Sequence, residues 1–299
     1  MPLSFATYDV FTDAAFAGNP LAIVFGADSL DDAAMQTIAR EFNLSETTFV
    51  RRARAPHHSA EVRIFTPGRE LPFAGHPTIG TAIAMAEREH GDNKELDVLL
   101  VLEEKVGPVR CAVKLAQKGA AFAEFDLPQL PRETGSGAAG AEAVAMLGLK
   151  GGDIGFDRHT PSAFSAGVPY DFVPVSSLDA LARAKPTAVF SADKRGTNGV
   201  YVYARAAPHA AHAFHARMFA PEIGIVEDPA TGSAAAAFAG VVAKFDTPGD
   251  GWIQTPILQG AEMGRPSLIG LEFELSNGKI TGARISGKAV KVSEGQLFI

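Results

Sequence analysis

The chain is poor in cysteine: Cys111 is the single one among 299 residues. One cysteine rules out a disulfide within the chain, and it also rules out a metal site built from several thiolates. Cys111 lies in the alternating stretch V-R-C-A-V at 109–113, a pattern typical of a β-strand. We therefore expect a half-buried structural thiol and not a reactive one.

The sequence also lacks long apolar runs and an excess of basic residues. No apolar run reaches the ~18 residues that a membrane-crossing helix requires, so no such helix is expected. The first residues, M-P-L-S-F, show neither a basic region nor an apolar secretory core, which predicts a cytoplasmic protein. The formal net charge is −7, which argues against nucleic-acid partners, because their binding depends on cations that neutralise phosphates.

A metal-binding pattern is missing as well. The histidines lack an acidic partner at the sequence spacing that metal ligands usually have, so no metal is expected. What the chain does have is a large apolar fraction: 46% of its residues are hydrophobic and 20% are charged. This composition is typical of a globular protein with an extensive core, and the length suits one large domain or two of ordinary size.

The most informative feature is a motif that occurs twice. The runs E-L-P-F-A-G-H at 70–76 and E-D-P-A-T-G-S at 227–233 share Glu, Pro and Gly at an offset of 157 residues. Similar leaders precede them, R-I-F-T-P at 63–67 and R-M-F-A-P at 217–221, at an offset of 154 residues. A repeat of such long period predicts one structural unit that is used twice.

Short strand-like runs fill both halves, including one predicted at 188–191, and few helices interrupt them. Ser29 is the predicted cap of a helix at 30–42, and Ser177 caps a shorter one. Two further helices, 77–89 and 234–244, begin with small and apolar residues on every side, which is typical of buried helices. The sequence therefore predicts an α+β fold of two pseudo-symmetric domains, each with a sheet wrapped around a central helix.

The predicted boundaries follow from the repeat. The first domain covers 1–130 and is completed by 283–299, because the closing strands have no counterpart in the first half. The second domain covers 131–282. A flexible linker is predicted at 131–140, where P-R-E-T-G-S-G-A-A-G offers little apolar surface to bury.

The two predicted helix starts carry the candidate binding groups, Gly75 with His76 and Gly232 with Ser233. Unpaired N–H groups at a helix start attract anions, and glycine allows a ligand close to the backbone. Either start alone could be a plain capping sequence. Two starts in register predict a cradle for a small anionic molecule.

Two carboxylates are the candidates for proton transfer. Asp228 precedes Pro229, which keeps Asp228 in the loop before the helix. It could accept a proton, orient His76, contact an amine of a ligand, or only cap a turn. Glu46 begins an apolar strand, where Glu is disfavoured. In an interior strand it is desolvated, as a general acid/base requires, whereas at an edge it is simply exposed.

Four motifs in order carry a family resemblance: F-A-G-N-P-L-A-I-V at 16–24, N-L-S-E-T at 43–47, F-T-P through F-A-G-H-P at 65–77, and E-D-P-A-T-G-S-A at 227–234. Together they resemble the PhzF family of phenazine biosynthesis from about residue 5 to the end of the chain. The resemblance implies a diaminopimelate-epimerase-like fold with the active site in the cleft between two domains. It also implies a homodimer that uses no cofactor and no metal.

The resemblance further implies an activity. The type reaction of the family isomerises trans-2,3-dihydro-3-hydroxyanthranilate by moving a proton from one ring carbon to another. By motif position, Glu46 is the acid/base, and His76 and Asp228 hold polar groups of the substrate or assist. Ser233 and the backbone of Gly75 and Gly232 bind the substrate carboxylate. The substrate-binding set also includes two neighbours in the same motifs, Ser45 and Thr231.

Related epimerases and racemases use one cysteine in each helix-start motif. Neither motif of this chain contains a cysteine, which excludes racemisation by two thiols. Two other functions stay open at this point. One is a dimeric protein of the same fold that binds small carboxylates without catalysis, and the other is a hydrolase with Ser233, His76 and Asp228 as its triad.

Overall fold

The structure of the chain, a computed structural model, describes residues 2–91 and 94–299. It divides into two compact units. Unit 1 comprises Met1–Pro128 with Ser286–Ile299, and unit 2 comprises Gln129–Ile285. Within the described ranges, no helix is both long enough and apolar enough to cross a membrane.

Among its described residues, unit 1 contains eight strands and two α-helices from the first part of the chain. In chain order these are β1 (Leu3–Val10), β2 (Asn19–Phe25), α1 (Asp32–Phe42), β3 (Glu46–Arg51), β4 (Ala60–Phe65), β5 (Glu70–Leu71), α2 (Gly75–His90), β6 (Leu96–Glu104), β7 (Gly107–Leu115) and β8 (Ala121–Asp126).

The remaining elements follow in the same order. They are β9 (Arg132–Gly135), α3 (Gly140–Leu147), β10 (Ser162–Ser165), β11 (Pro169–Pro174), α4 (Leu178–Arg183), β12 (Val200–Arg205), β13 (Phe214–Ala220), β14 (Ile225–Asp228), α5 (Gly232–Phe245), β15 (Gly251–Gln254), β16 (Ile257–Gln259), β17 (Ser267–Ser276) and β18 (Lys279–Leu297).

The strands of unit 1 form a ring around α2. Neighbours pair in the order β1, β2, β3, β4, β6, β7, β8, and β18 pairs with both β8 and β1. Inward positions alternate along the strands, as in β7, where Val109, Cys111, Val113 and Leu115 are buried. The helix α2 is buried on nearly every side, as its sequence predicts.

Unit 2 is arranged around α5 in a similar way. Its strands pair in the order β9, β10, β11, β12, β13, β16, β17, with β14 beside β13 and β15 beside β17. Phe238 of α5 lies 4.7 Å from the ring of Tyr203 and 4.9 Å from that of Phe214, both edge-to-face. Such aromatic pairs add to the apolar burial that holds the helix inside the sheet.

The repeated leader forms the same ion pair in each unit. Arg63 Nη2 donates to Glu70 Oε2 at 2.8 Å in unit 1. Arg217 donates from Nε and Nη2 to the two carboxylate oxygens of Glu227, each at 2.8 Å, in unit 2. Both pairs are mostly buried, where paired charges hold geometry well. Each pair ties the leader strand to the run that enters the central helix.

Several sequence predictions need correction. The cap of α1 is Asp31 and not Ser29, since Asp31 Oδ1 accepts a hydrogen bond from Ala34 N at 2.8 Å. Ser177 does cap α4, as predicted. The central helices begin two residues earlier than predicted, at Gly75 and Gly232.

Two other segments also differ from expectation. The predicted linker at 131–140 contains the strand β9, which pairs with β10 and so belongs to the sheet of unit 2. The predicted strand at 188–191 is a turn. Cys111 is fully buried instead of half-buried. Burial above all raises the pKa of its thiol above the usual range, and the carboxyl groups of Glu104 and Asp126 act in the same direction at a pH where they are ionised.

Glycines allow the central helices to approach their strands closely. A Cβ at Gly240 of α5 would overlap the ring of Phe164, with the Cε1 atom only 2.7 Å away. A Cβ at Gly80 of α2 would lie 2.6 Å from Leu21 Cδ2. In both units the contact between helix and sheet therefore depends on the absence of a side chain.

We expect Gly240→Ala to lower the free energy of unfolding by about 1–3 kcal/mol, because Phe164 has to leave its position. Gly140→Ala is the matched control. A Cβ at Gly140, the first residue of α3, meets nothing within 4 Å, so its effect should stay within about 0.5 kcal/mol. Urea denaturation measures both variants. Equal stability of the two would contradict the close packing of α5.

Candidate functional site

In unit 1, Glu46 is the first residue of an interior strand. β3 lies between β2, where Leu21 is opposite Glu46, and β4, where Phe65 is opposite Thr47. The Glu46 side chain is 12% exposed, so it is largely removed from water. The alternative of an exposed glutamate at a sheet edge is thereby excluded. A carboxylate in this setting is held by its strand and is poorly solvated.

His76 lies in the first turn of α2, and its Nε2 is 3.4 Å from Glu46 Oε2. The imidazole is 4% exposed, and its Nε2 has no hydrogen-bond partner among the described residues. The two atoms are thus in contact without an aligned hydrogen bond. Burial lowers the pKa of His76 to about 3, so the imidazole is neutral at pH 7.

The starts of the two central helices make corresponding backbone hydrogen bonds. Thr78 N donates to the carbonyl of Ala74 at 3.2 Å in unit 1, and Ala235 N donates to the carbonyl of Thr231 at 2.9 Å in unit 2. Ala74 and Thr231 are the cap residues, again 157 positions apart. The N–H groups of the first turn have no acceptor within their own helix. In each unit, the unpaired N–H groups therefore converge in front of the N-terminus of the central helix.

In unit 2, Asp228 ends β14 and is tied to the helix start. Its Oδ2 accepts a hydrogen bond from Thr231 Oγ1 at 2.5 Å, and its side chain lies in the buried interior. A hydrogen bond this short fixes the carboxyl group of Asp228 and the hydroxyl of Thr231 relative to each other. Asp228 and Thr231 therefore form one hydrogen-bonded pair at the entrance of α5.

Gln259, which sequence reasoning missed, holds this entrance together. Its Nε2 donates to the Asp228 carbonyl at 2.8 Å and to Thr231 Oγ1 at 3.0 Å, and its Oε1 accepts from Thr231 N at 3.1 Å. The side chain is fully buried, so these bonds satisfy its polar atoms. A glutamine at the end of the apolar run I-L-Q was the signal that could have identified it.

Ser233 has Tyr170 as its described partner, with the two hydroxyl oxygens 2.8 Å apart. Tyr170 lies on β11 and was also missed by sequence reasoning. A phenol next to a serine hydroxyl is no general base at neutral pH, since its ordinary pKa is about 10. The arrangement favours hydrogen bonding to an anion over nucleophilic attack by Ser233.

The structure thus groups the candidate residues by unit. Unit 1 brings together Glu46, His76 and Gly75, with the half-buried Ser45 directly before β3. Unit 2 brings together Asp228 and the start of α5 at 231–233. In the described part of the chain, no three His, Cys, Asp or Glu side chains come together in a way that could hold a metal ion.

Comparison with known sequences gives concordant matches. The sequence model of the PhzC-PhzF family, described as phenazine biosynthesis-like protein, matches residues 8–295. An uncharacterised isomerase of Mesorhizobium japonicum is 50% identical over 304 residues, covering 99% of each chain. A trans-2,3-dihydro-3-hydroxyanthranilate isomerase of Pseudomonas fluorescens is 36% identical over 302 residues, again covering 99% of each chain.

Solved structures show the same fold. The PhzF family phenazine biosynthesis protein of Bacillus anthracis matches with a TM-score of 0.88 and 27% identity, covering 100% of both chains. A hydroxyproline epimerase of Agrobacterium vitis matches with a TM-score of 0.64 and 11% identity, covering 99% of this chain and 92% of the other. The second likeness concerns the fold alone. The predicted α+β, epimerase-like fold is confirmed.

We expect the His76 imidazole to stay neutral from pH 5 to pH 9, because burial disfavours its charged form. The measurement is the pH dependence of its Cε1–H signal in the NMR spectrum, assigned with a His76→Asn variant. In denaturant the same residue should titrate near its ordinary pKa of ~6.5. A midpoint between pH 6 and pH 7 in the folded protein would contradict the burial of His76.

Proposed function

The chain belongs to the PhzC-PhzF family of phenazine biosynthesis-like proteins and is an isomerase, and we propose that it moves a proton within a small cyclic or amino carboxylate. The type substrate is trans-2,3-dihydro-3-hydroxyanthranilate, after the isomerase that is 36% identical to this chain. The proposal also includes a homodimeric, cytoplasmic enzyme without cofactor or metal, which rests on the family resemblance and the sequence.

The contact between Glu46 and a neutral His76 is the observation that carries the proposal. A charged imidazolium 3.4 Å away would stabilise the Glu46 carboxylate and weaken it as a base. A neutral imidazole leaves the carboxylate basic, and its poorly solvated position favours proton transfer. His76 retains one N–H with which it can hold a polar group of the substrate.

The proposed reaction uses Glu46 in both directions. The carboxylate takes a proton from one substrate carbon, so that a C–H bond breaks and an O–H bond forms. The electron pair left behind is delocalised over the substrate. The carboxylic acid then returns the proton to a second carbon, and the enzyme regains its starting state. Such acid/base catalysis contributes roughly 10²–10⁴-fold to a rate.

The helix starts supply the anion binding in this proposal. The N–H groups at Gly75 and Gly232, with the Ser233 hydroxyl, hold the substrate carboxylate and the negative charge that develops during proton transfer. Asp228 is proposed to contact an amine or hydroxyl of the substrate. Ser45 and Thr231 are proposed to line the same binding region.

Glu46→Gln should abolish catalysed exchange, because an amide cannot accept the proton. Incubation with the type substrate in D₂O, followed by NMR or mass spectrometry, measures deuterium at the ring carbons. We expect the rate to fall at least 10²-fold. Glu41→Gln is the control, since Glu41 is exposed and lies on α1, and it should leave the rate unchanged. Undiminished exchange in Glu46→Gln would rule out this mechanism.

Ser233→Ala should weaken substrate binding more than it slows the chemical step. A hydrogen bond to a charged group contributes about 1.5–3 kcal/mol, so KM should rise about tenfold or more. Steady-state kinetics of the isomerisation measures kcat and KM separately. Ser276→Ala is the control, because Ser276 is an exposed residue of β17 in the same unit. If KM does not change in Ser233→Ala, Ser233 does not bind the carboxylate.

A further inference from the structure

A second carboxyl group lies at the start of α2, outside the set proposed for catalysis. Glu104 ends β6 at a position that faces the core, and it is 7% exposed. Its Oε1 is 2.7 Å from Thr78 Oγ1, and its Oε2 is buried without a hydrogen-bond partner. Among the described residues, no cation pairs with it. A carboxyl group in this setting needs a physical explanation.

Counting hydrogen atoms indicates its protonation state. Thr78 Oγ1 lies 2.8 Å from the carbonyl of Ala74 and 2.7 Å from Glu104 Oε1. A hydroxyl has one hydrogen, and a carbonyl oxygen only accepts. If Thr78 donates to Ala74, Glu104 has to carry a proton and donate it to Thr78. The other arrangement leaves a buried carboxylate with one hydrogen bond and no cation, which costs several kcal/mol of desolvation.

The repeat provides an independent observation, through the register of two parallel strand pairs. In unit 1, Ala60 of β4 is opposite Leu102 of β6. In unit 2, Phe214 of β13 is opposite Ile257 of β16. Ala60 and Phe214 are equivalent in the repeat, since the leader strands are offset by 154 residues. Leu102 and Ile257 are therefore equivalent as well.

Glu104 follows Leu102 by two residues, and Gln259 follows Ile257 by two residues. Each therefore lies on the same strand face as the residue two positions before it, so Glu104 and Gln259 are equivalent in the repeat. Gln259 is the residue that holds the cap of α5, through Thr231 and the Asp228 carbonyl. Glu104 contacts the cap of α2, through Thr78. A protonated carboxyl group has nearly the shape of a carboxamide and combines an O–H donor with a carbonyl acceptor, whereas the carboxamide has two N–H donors beside its carbonyl.

We propose that Glu104 acts as a neutral, protonated carboxylic acid that positions the first turn of α2, in the role that Gln259 has at the first turn of α5. Glu104 is a positioning residue: it acts on Gly75 and His76 through Thr78 and the Ala74 carbonyl. The effect of Glu104 on catalysis rests on the function proposed above, whereas the protonation of Glu104 can be measured without substrate.

The electrostatic surroundings support a neutral Glu104. Burial raises its pKa to about 8, against an opposing contribution from the hydrogen bond with Thr78. The titratable group that faces it from β7 is the buried thiol of Cys111, which is neutral, and Asp126 of β8 adds a negative charge near that thiol. On α2, the neutral His76 lies two residues before Thr78. Glu61 of β4 lies opposite Glu103 of β6 in the backbone register. The side chain of Glu103 points to the face of β6 opposite to that of Glu104.

The sign of the effect on stability follows from this raised pKa. An unfolded glutamate loses its proton near pH 4.5, whereas the folded one keeps it until about pH 8. The stability that protonated Glu104 contributes is therefore complete below about pH 4.5, declines as the pH rises, and is lost above about pH 8. Glutamine at this position does not titrate, so Glu104→Gln should lack this decline.

The first experiment compares Glu104→Gln with the wild-type chain by difference infrared spectroscopy. At pH 6.5 the wild type should show the C=O stretch of a protonated carboxyl that the variant lacks, and this band should disappear above pH 9. Glu103→Gln is the matched control, because Glu103 is the preceding residue and accepts hydrogen bonds from Arg54 N and Ala55 N, which lower its pKa. Its spectrum should keep the band.

The second experiment measures melting temperature against pH for the same three proteins. The melting temperature of Glu104→Gln should rise relative to wild type between pH 5 and pH 8 and then stay level. Between pH 7.5 and pH 9 the difference between Glu103→Gln and wild type should stay constant, since the lowered pKa of Glu103 keeps it ionised throughout this range. Parallel curves for Glu104→Gln and wild type, together with no Glu104-dependent band, would overturn the proposal.

The third experiment is a pH profile of isomerisation. If Glu104 positions the α2 turn, wild-type kcat/KM should decline as the pH passes about 8, Glu104→Gln should keep its rate there, and Glu104→Ala should lose at least tenfold at every pH. An alkaline decline that is identical in wild type and Glu104→Gln would overturn the positioning role. If the chain does not turn over the type substrate at all, the proposed function fails, and the first two experiments still decide the state of Glu104.

Discussion

A helix that is buried on nearly every side brings the polar groups of its first turn into the core, where they need partners. Both units of this protein are arranged around that constraint. In unit 1 the carbonyl of Ala74 is bonded by Thr78, which in turn contacts Glu104. In unit 2 the cap Thr231 is bonded by Asp228 and Gln259. Unpaired polar groups at either start would cost about 1–3 kcal/mol each, so these bonds hold the helix starts in place.

The same constraint explains why the helix starts are suited to bind an anion. Once the cap residues are satisfied by protein groups, the first N–H groups are the remaining donors, and they point along the helix axis. The Arg63–Glu70 and Arg217–Glu227 pairs secure the segments that lead into these starts. The proposed binding groups thus belong to the backbone of helices, which holds them in position more accurately than a loop would.

The two units differ where chemistry is proposed. Glu46 of β3 corresponds to Val200 of β12 at the offset of 154 residues, so a carboxylate stands at this strand position in unit 1 only. His76 corresponds to Ser233, and burial keeps the imidazole neutral. A single base with a neutral neighbour differs from the two-thiol arrangement of the racemases, which the sequence excludes. The duplicated framework supplies the proposed binding groups in both units, whereas the proposed proton transfer depends on one of them.

The family could be predicted from four ordered motifs. The fold class and the central helices could be predicted from a motif that recurs at an offset of 157 residues and from runs of small apolar residues, because both patterns are visible along the chain. Glu46, His76 and Asp228 could be proposed as candidates from their motifs, whereas their contacts could not be predicted. Gln259, Tyr170 and Glu104 were missed because each acts through strand register, which pairs residues far apart in the chain. The errors at Ser29, at 131–140 and at 188–191 have a common cause: weak local signals were overridden by packing. By itself, the sequence determined which residues repeat and which do not. Only the tertiary structure decided that Glu46 contacts a neutral His76 and that Glu104 takes the position of Gln259, since burial and parallel register arise when the sheet closes around its helix.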